Sequence, residues 1–305
     1  MPAGRVLAQA KVNLFLRILA REASGYHQLE TLFCRLALGD TVTVQATEGA
    51  RSLHCAGECV PDGGLGPINQ NLAWRAAAAY AEHAGWPRGF AIEIEKRIPV
   101  AAGLGGGSAD AGAVLRILNA LNPSPLPSGA LLATAASLGA DVPFLTQDTS
   151  PLALGWGRGE RLLSLPALPQ RPCWLFWTGV PVATAEAYRW LDPAPGVFPS
   201  LINLADVGSW TSVASLACND FEVAVAARFP KIATLLSTLR SPGASRLVGT
   251  GPIVQLSGSG SGVYVVAASE HDPEPSTAGW RIDEPGITIL PTTSAERVEA
   301  VVRID

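Results

Sequence analysis

The stretch that most constrains this chain is Pro99-Val100-Ala101-Ala102-Gly103-Leu104-Gly105-Gly106-Gly107-Ser108-Ala109-Asp110. Gly103, Gly105, Gly106 and Gly107 place four glycines in five positions. Such density is expensive in chain entropy, roughly 0.5–1 kcal/mol per glycine relative to alanine in regular structure. In return it opens backbone conformations closed to other residues and lets amides approach a ligand closely. Phe90, Ile92 and Ile94 alternate before it, which predicts a strand. Ala111, Val114, Leu115 and Leu118 form one stripe after it, which predicts a helix over Ser108 to Leu121. Strand, glycine loop and helix start together aim free amides and the positive dipole end at one point. That is an anion site suited to phosphates. A Walker A loop is excluded, because no Lys follows Gly107. A dinucleotide fingerprint fails as well, with Ser108 where Gly or Ala belongs.

The remaining patterning predicts an α+β chain. Leu38 to Val44 reads as strand, and Cys173 to Trp177 as a buried strand. Asn71 to Ala84 is an alanine-rich helix stopped by Gly85 and Pro87. Ser128 to Leu138 is another, with Ser128 as candidate N-cap and Gly139 beyond its end. Thr184 to Leu191, Asn219 to Phe229 and Lys231 to Arg240 also read as helices, the second with Asn219 and Glu222 near a capping box. Val254 to Ala267 reads as strand, Gly/Ser loop, strand. Strands and helices do not alternate strictly, which disfavours a doubly wound parallel sheet. At 305 residues the chain suits two domains of about 150. The Gly- and Pro-rich stretch 155–172 is the candidate crossover, giving units 1–160 and 161–305. Ser269 to Pro285, polar with three prolines, is expected to be an exposed loop.

Hydrophobic residues are 48% and charged residues 16%, a composition that argues against disorder. Net charge is -4 with no basic block, so no nucleic-acid partner is expected. No window offers 18 apolar residues, and the N-terminus lacks a signal-like run. A cytoplasmic protein with small-molecule partners, no membrane and no obligate protein partner is expected. Five scattered cysteines do not suit a disulfide framework. His54, Cys55 and Cys59 lie close together, but no second ligand pair follows at zinc spacing, so they read as ordinary thiols.

Candidate site residues each carry two readings. Lys11 sits in an apolar run, Val6 to Leu16. It either faces solvent or faces inward and requires a partner. Asn13 shares its face. Asp141 follows a predicted helix C-terminus, where the dipole disfavours a carboxylate by roughly 0.3–1 kcal/mol. It is either a turn former or a functional group. Tyr26, His27 and Tyr188 are either core residues or the walls of a base pocket. Lys96 and Asn71 are either a surface ion pair and a helix cap, or nucleotide contacts.

The glycine segment resembles the central motif Pro-x-x-x-Gly-Leu-Gly-Ser/Gly-Ser/Gly-Ser of the galactokinase, homoserine kinase, mevalonate kinase and phosphomevalonate kinase superfamily. Ala10-Lys11-Val12-Asn13-Leu14-Phe15-Leu16 resembles that superfamily's first motif. With Gly25-Tyr26-His27-Gln28-Leu29 it resembles, more narrowly, the 4-diphosphocytidyl-2-C-methyl-D-erythritol kinases. Leu138-Gly139-Ala140-Asp141-Val142-Pro143-Phe144, Thr184-Ala185-Glu186-Ala187-Tyr188, Asn219-Asp220-Phe221-Glu222 and Ser257 to Gly262 follow in family order. Departures are Gly112, where Ala is commoner, and a serine-rich Ser257–Gly262.

The resemblance implies a two-domain α+β kinase fold with its site in the cleft between domains. It implies ATP as donor and a step of non-mevalonate isoprenoid synthesis. Lys11 and Asp141 are then catalytic, with Asp141 as base or acceptor for the substrate hydroxyl. Pro99, Ala101, Ala102, Gly103, Leu104, Gly105, Gly106, Gly107 and Ser108 hold ATP, with Lys96 and Asn71 on the adenosine side. Asn13, Tyr26, His27, Thr184 and Tyr188 hold the acceptor. Magnesium rides on the ATP phosphates, close to Ser108, with no dedicated ligand set. Another kinase of the superfamily, which would not need Gly25-Tyr26-His27, and a non-catalytic nucleotide sensor are the competing readings.

Overall fold

A computed structural model describes residues 1–23, 25–191, 202–241, 252–267, 280 and 285–304. The loop expected over 269–285 lies almost wholly outside the described residues.

Two long strands, β1 (Ala3–Arg21) and β2 (His27–Thr47), form an antiparallel hairpin. β3 (Arg51–Ala56), α1 (Leu72–Ala84) and β4 (Gly89–Glu95) follow, with β3 parallel to β4. Next come α2 (Gly106–Leu121), α3 (Ser128–Leu138), α4 (Val142–Thr146) and the hairpin β5 (Leu152–Gly157) to β6 (Arg161–Leu165). The later part contains β7 (Pro172–Trp177), α5 (Thr184–Trp190), α6 (Trp210–Leu216), α7 (Phe221–Ala226) and α8 (Pro230–Leu239). It ends with β8 (Ile253–Leu256), β9 (Val263–Val266), β10 (Thr288–Thr293) and β11 (Val302–Ile304). One sheet runs β11-β1-β2-β4-β3, with β5 and β6 attached through β2; the other runs β10-β7-β9-β8. The expected α+β class is what forms. No helix among the described residues is long and apolar enough to cross a membrane.

α1 and α3 form over the residues the patterning marks. Asn71 caps α1 by accepting from Ala73 N at 2.9 Å, and Gly85 closes it at φ 65°. α3 is preceded by Pro127 rather than capped by Ser128, which is already helical. α7 is shorter than expected at both ends, although Asn219 Oδ1 still accepts from Phe221 N at 2.9 Å. The Asn219 amide donates to Leu256 O and Gly258 O, both at 2.8 Å, and Glu222 pairs with Arg240 at 2.7 Å.

The stretch 155–172 is not simply a crossover. Much of it is the β5–β6 hairpin, turned by Gly157 (φ 74°) and Gly159 (φ 111°). The first sheet therefore extends past residue 160 and recovers β11 from the far end of the chain.

Ala111, Val114, Leu115 and Leu118 of α2 are buried in the larger core with Val12, Leu14, Leu36 and Val44 of the β1–β2 hairpin. Gly112 is explained here: a Cβ would stand 2.6 Å from Leu145 O, so only glycine lets α4 lie this close to α2. A smaller core gathers Trp174, Phe176, Leu235, Leu236, Val263 and Val265 under α8. Backbone bonds join the two parts. Leu16 N donates to Cys218 O (2.8 Å), Asp220 N to Leu16 O (3.0 Å) and Gly262 N to Ala102 O (3.1 Å).

Candidate active site

The glycine loop ends in an exposed helix start. Gly105 adopts φ 71°, and α2 begins at Gly106, two residues earlier than the patterning marks. No side chain caps it, and the first helical bond runs from Ala109 N to Gly105 O at 2.8 Å. The amides of residues 106–108 therefore lie outside the helical ladder, as an anion cradle requires. The Ser257–Gly262 loop braces this cradle. The Ser257 hydroxyl donates to Gly103 O at 2.9 Å, and any Cβ at Gly103 would collide with the Ser257 carbonyl. Pro99 and the Ala101–Gly107 run line a cavity of about 200 Å³ together with Asn71, Lys96 and Asp110.

Beside the cradle stands Lys11. The β1–β2 register shifts between Gln9 and Lys11, and again between Asn13 and Phe15. Irregularities of this kind redirect side chains and free backbone groups. Lys11 N donates to Leu104 O at 3.0 Å, which ties the strand to the glycine loop. Lys11 is only 3% exposed, so the inward reading holds. Its Nζ donates to Asn13 Oδ1 at 2.8 Å and lies 3.3 Å from Asp141 Oδ2. Asn13 is fixed in turn by donating to Thr31 Oγ1 at 2.8 Å. Asp141 follows the C-terminus of α3, but it also directly precedes α4, so the expected dipole penalty is offset by a second helix start. Lys11, Asn13, Asp141, Ser108, Thr184 and Tyr188 line one cleft of about 380 Å³ with the glycine loop. A buried ammonium beside a half-buried carboxylate, facing free amides, can accept a proton from an alcohol and neutralise charge on a phosphoryl group.

A wider cavity of about 840 Å³ opens next to the cleft, with Tyr26, His27, Thr184 and Tyr188 on its walls. The His27 and Tyr188 rings stack at 4.7 Å, and Phe221 meets Tyr188 edge-on at 4.9 Å. Burial, and secondarily Arg21, holds the His27 imidazole below its ordinary pKa. Burial, reinforced by the Asp141 charge, pushes the Tyr188 hydroxyl up to about 12, so it stays a donor. Thr184 Oγ1 shares a 2.9 Å hydrogen bond with Ser259 Oγ.

Lys96 is neither a surface residue nor free. Its ammonium is sandwiched between Asp40 and Asp110, the latter at 2.6 Å, with only 3% exposure. Burial would lower its pKa, but the two carboxylates outweigh burial and raise it. The triad sits directly under the loop, since Gly106 would place a Cβ 3.6 Å from Lys96 Nζ. Asn71 lines the same cavity and also serves as the α1 cap. Among the described residues no three His, Cys, Asp or Glu side chains converge as a metal site, and all five cysteines are free thiols.

The family described as GHMP kinases N terminal domain matches residues 71–148, the segment carrying the glycine loop and Asp141. A 4-diphosphocytidyl-2-C-methyl-D-erythritol kinase from Moorella thermoacetica is 38% identical over 268 residues, covering 86% of this chain and 89% of that protein. The chain belongs to the 4-diphosphocytidyl-2-C-methyl-D-erythritol kinase family. It is an ATP-dependent phosphotransferase. A crystal structure of a 4-(cytidine 5'-diphospho)-2C-methyl-D-erythritol kinase superposes with TM-score 0.74 at 35% identity, covering 95% of this chain and 98% of the other. A homoserine kinase from Cytophaga hutchinsonii shares the fold at TM-score 0.63 and 17% identity, covering 99% and 97%.

In this kinase the sequence-derived candidates converge on three contiguous cavities. Asp40, Asp110 and Arg158 escaped the sequence reading. Asp110 directly follows the loop, and Arg158 stands between two glycines, which were the available signals. Asp40 had none, being 56 residues from Lys96. One expected result follows for the cradle. A Cβ at Gly106 would already press on Ile98 Cγ2 at 3.1 Å, and Val would add branches in the phosphate space. Gly106→Val is expected to weaken binding of a non-hydrolysable ATP analogue by about tenfold or more. Calorimetry on the folded variant checks this, and unchanged affinity would remove the phosphate assignment.

Proposed function

We propose that the protein transfers the γ-phosphoryl group of ATP to the 2-hydroxyl of 4-diphosphocytidyl-2-C-methyl-D-erythritol, giving the 2-phosphate and ADP in the non-mevalonate isoprenoid route. The observation that carries this reading is the Lys11–Asp141 pair, 3.3 Å apart, in the cleft between the glycine cradle and the Tyr26–His27–Tyr188 cavity. The acceptor alcohol is tertiary and weakly nucleophilic. Asp141 takes its proton as the oxygen attacks phosphorus, and the bond from phosphorus to the β–γ bridging oxygen breaks. Lys11 offsets the charge that builds on the transferring group, and Asn13 orients the alcohol. Pro99 and the Ala101–Ser108 segment hold the phosphates, with Asn71 and Lys96 lining the adenosine side.

Magnesium belongs to this reading through the ATP phosphates. Such an ion would need no carboxylate cage, and Ser108, which lines the cleft, would be the protein group to hold it and help neutralise the phosphate charge. The cytosine lies against Tyr26, His27 and Tyr188, with Thr184 between this cavity and the cleft. The two-unit division belongs to the same reading, with the first sheet supplying most of the nucleotide site and the second closing the cleft. So does a cytoplasmic location.

The test is turnover of ATP with the full acceptor, with methylerythritol phosphate and with mevalonate. Binding energy from the remote base positions the hydroxyl, so the truncated acceptor is expected to react poorly. Tyr188→Ala is expected to raise KM for the full acceptor about 5–150-fold, the loss of one stacking partner, while ATP affinity stays unchanged. If mevalonate or the truncated compound reacted as well as the full acceptor, the assignment would fall.

A further inference from the structure

The wide cavity and the catalytic cleft are joined, and the walls they share are Ala140, Arg158, Thr184 and Tyr188. If the base lies in the first and the alcohol in the second, the group linking them must pass this junction. In the proposed acceptor that link is a diphosphate, and it carries all of the molecule's negative charge at neutral pH. Among the described residues lining both spaces, Arg158 alone is cationic. Lys11 is already engaged by Asn13 and Asp141. Asp141 repels an approaching diphosphate, so the junction needs an opposing charge.

The local fold delivers one. Arg158 occupies the tip of the β5–β6 hairpin between Gly157 and Gly159, both in the left-handed region. Its backbone N–H donates to Glu160 Oε2 at 2.6 Å, which holds the hairpin tip. The guanidinium lies 3.8 Å from the Tyr26 ring centroid and 2.8 Å from Glu22 Oε2. It thus reaches from the base cavity to the cleft. The pair with Glu22 is solvent-exposed on the arginine side, so it holds the guanidinium only weakly. A planar fork matches two phosphoryl oxygens better than an ammonium does.

We propose that Arg158 binds the diphosphate link of the acceptor and so sets specificity for a nucleoside diphosphate ester over an uncharged nucleoside. This rests on the cytidyl reading above, and the test separates the two. Cytidine and CDP are titrated calorimetrically against wild type, Arg158→Gln and Arg158→Lys. Wild type is expected to bind CDP more tightly than cytidine. Arg158→Gln is expected to weaken CDP by about 10–100-fold, as when a charged hydrogen-bond partner is lost, and cytidine by no more than about threefold. Arg158→Lys recovers part of the CDP affinity. Equal losses for the two ligands would mean that Arg158 only supports the Tyr26 ring, and would overturn the proposal while leaving the base pocket intact. Unchanged CDP affinity in Arg158→Gln would overturn it too. Failure of wild type to bind either ligand would remove the base pocket, and this inference with it.

Discussion

Asp141→Asn is expected to lower kcat by about 10²–10⁴-fold, the usual contribution of a positioned general base. The amide has the size of the carboxylate and cannot take the alcohol proton. Its carbonyl oxygen can still accept from Lys11, which lies 3.3 Å from Asp141 Oδ2. The cradle of residues 103–108 is untouched, so affinity for an ATP analogue is expected to stay within about threefold. Asp141 is 31% exposed and its side chain caps no backbone amide, so the variant should fold. Steady-state kinetics at saturating acceptor and ATP decide the matter. Turnover above half of wild type would make Asp141 a turn former before Val142 and Pro143.

Where local pattern and tertiary fold agree, the sequence was legible. The glycine loop could be placed between strand and helix because its neighbours carry clean periods of 2 and 3.6. α1 was legible at both ends because Asn71 and Gly85 perform local capping chemistry. Lys11 was legible only as a choice between a solvent-facing lysine and an inward one with a partner, and its burial in the fold decides for the second. The misses share one cause, which is dependence on distant partners. β3, β10 and β11 are short, and their partners β4, β7 and β1 lie far along the chain or across a long connection. α4 has five residues, too few for a period to show. The β5–β6 hairpin resembled a linker because Gly155, Gly157 and Gly159 mark both linkers and tight turns. Of these, Gly155 is required for packing, since a Cβ there would lie 2.7 Å from the Phe33 ring.

The candidate site followed the same division. Residues within one motif were found together. The Asp40–Lys96–Asp110 triad was missed because strand pairing, and no spacing along the chain, brings Asp40 under the loop. Asp40 Oδ1 also accepts from Arg97 N (2.6 Å) and Ile98 N (2.8 Å), which fixes the segment entering the glycine loop. Burial pushes the Asp110 carboxyl up to about 7, against the pull of the Lys96 ammonium. Because that folded value lies above the unfolded one, the favourable contribution of the protonated form is complete at low pH and is lost as pH rises through about 7.

Lys11→Met is expected to lower kcat by about 10²–10³-fold, the cost of removing one preorganised group that stabilises transition-state charge. Methionine keeps the unbranched shape and fills the buried channel, so the substitution removes charge and leaves packing in place. The Lys11 stem runs under the cradle: a Cβ at Gly105 would lie 3.1 Å from its Cγ and 3.2 Å from its Cε. The ammonium also lies 5.8 Å from the Phe33 ring centroid and close to Gly258. A guanidinium is broader and longer than an ammonium, so it does not reproduce the contacts of Nζ with Asn13 Oδ1 at 2.8 Å and Asp141 Oδ2 at 3.3 Å. Lys11→Arg is therefore expected to fail to rescue, although it restores the charge. The informative readout is the split between kcat and KM. An interaction made only in the transition state lowers kcat and kcat/KM together, whereas one made equally with bound ATP raises KM alone. Lys11→Met with normal kcat and a raised KM for ATP would make Lys11 a nucleotide-binding residue, and charge neutralisation would then have to come from the cradle amides and magnesium.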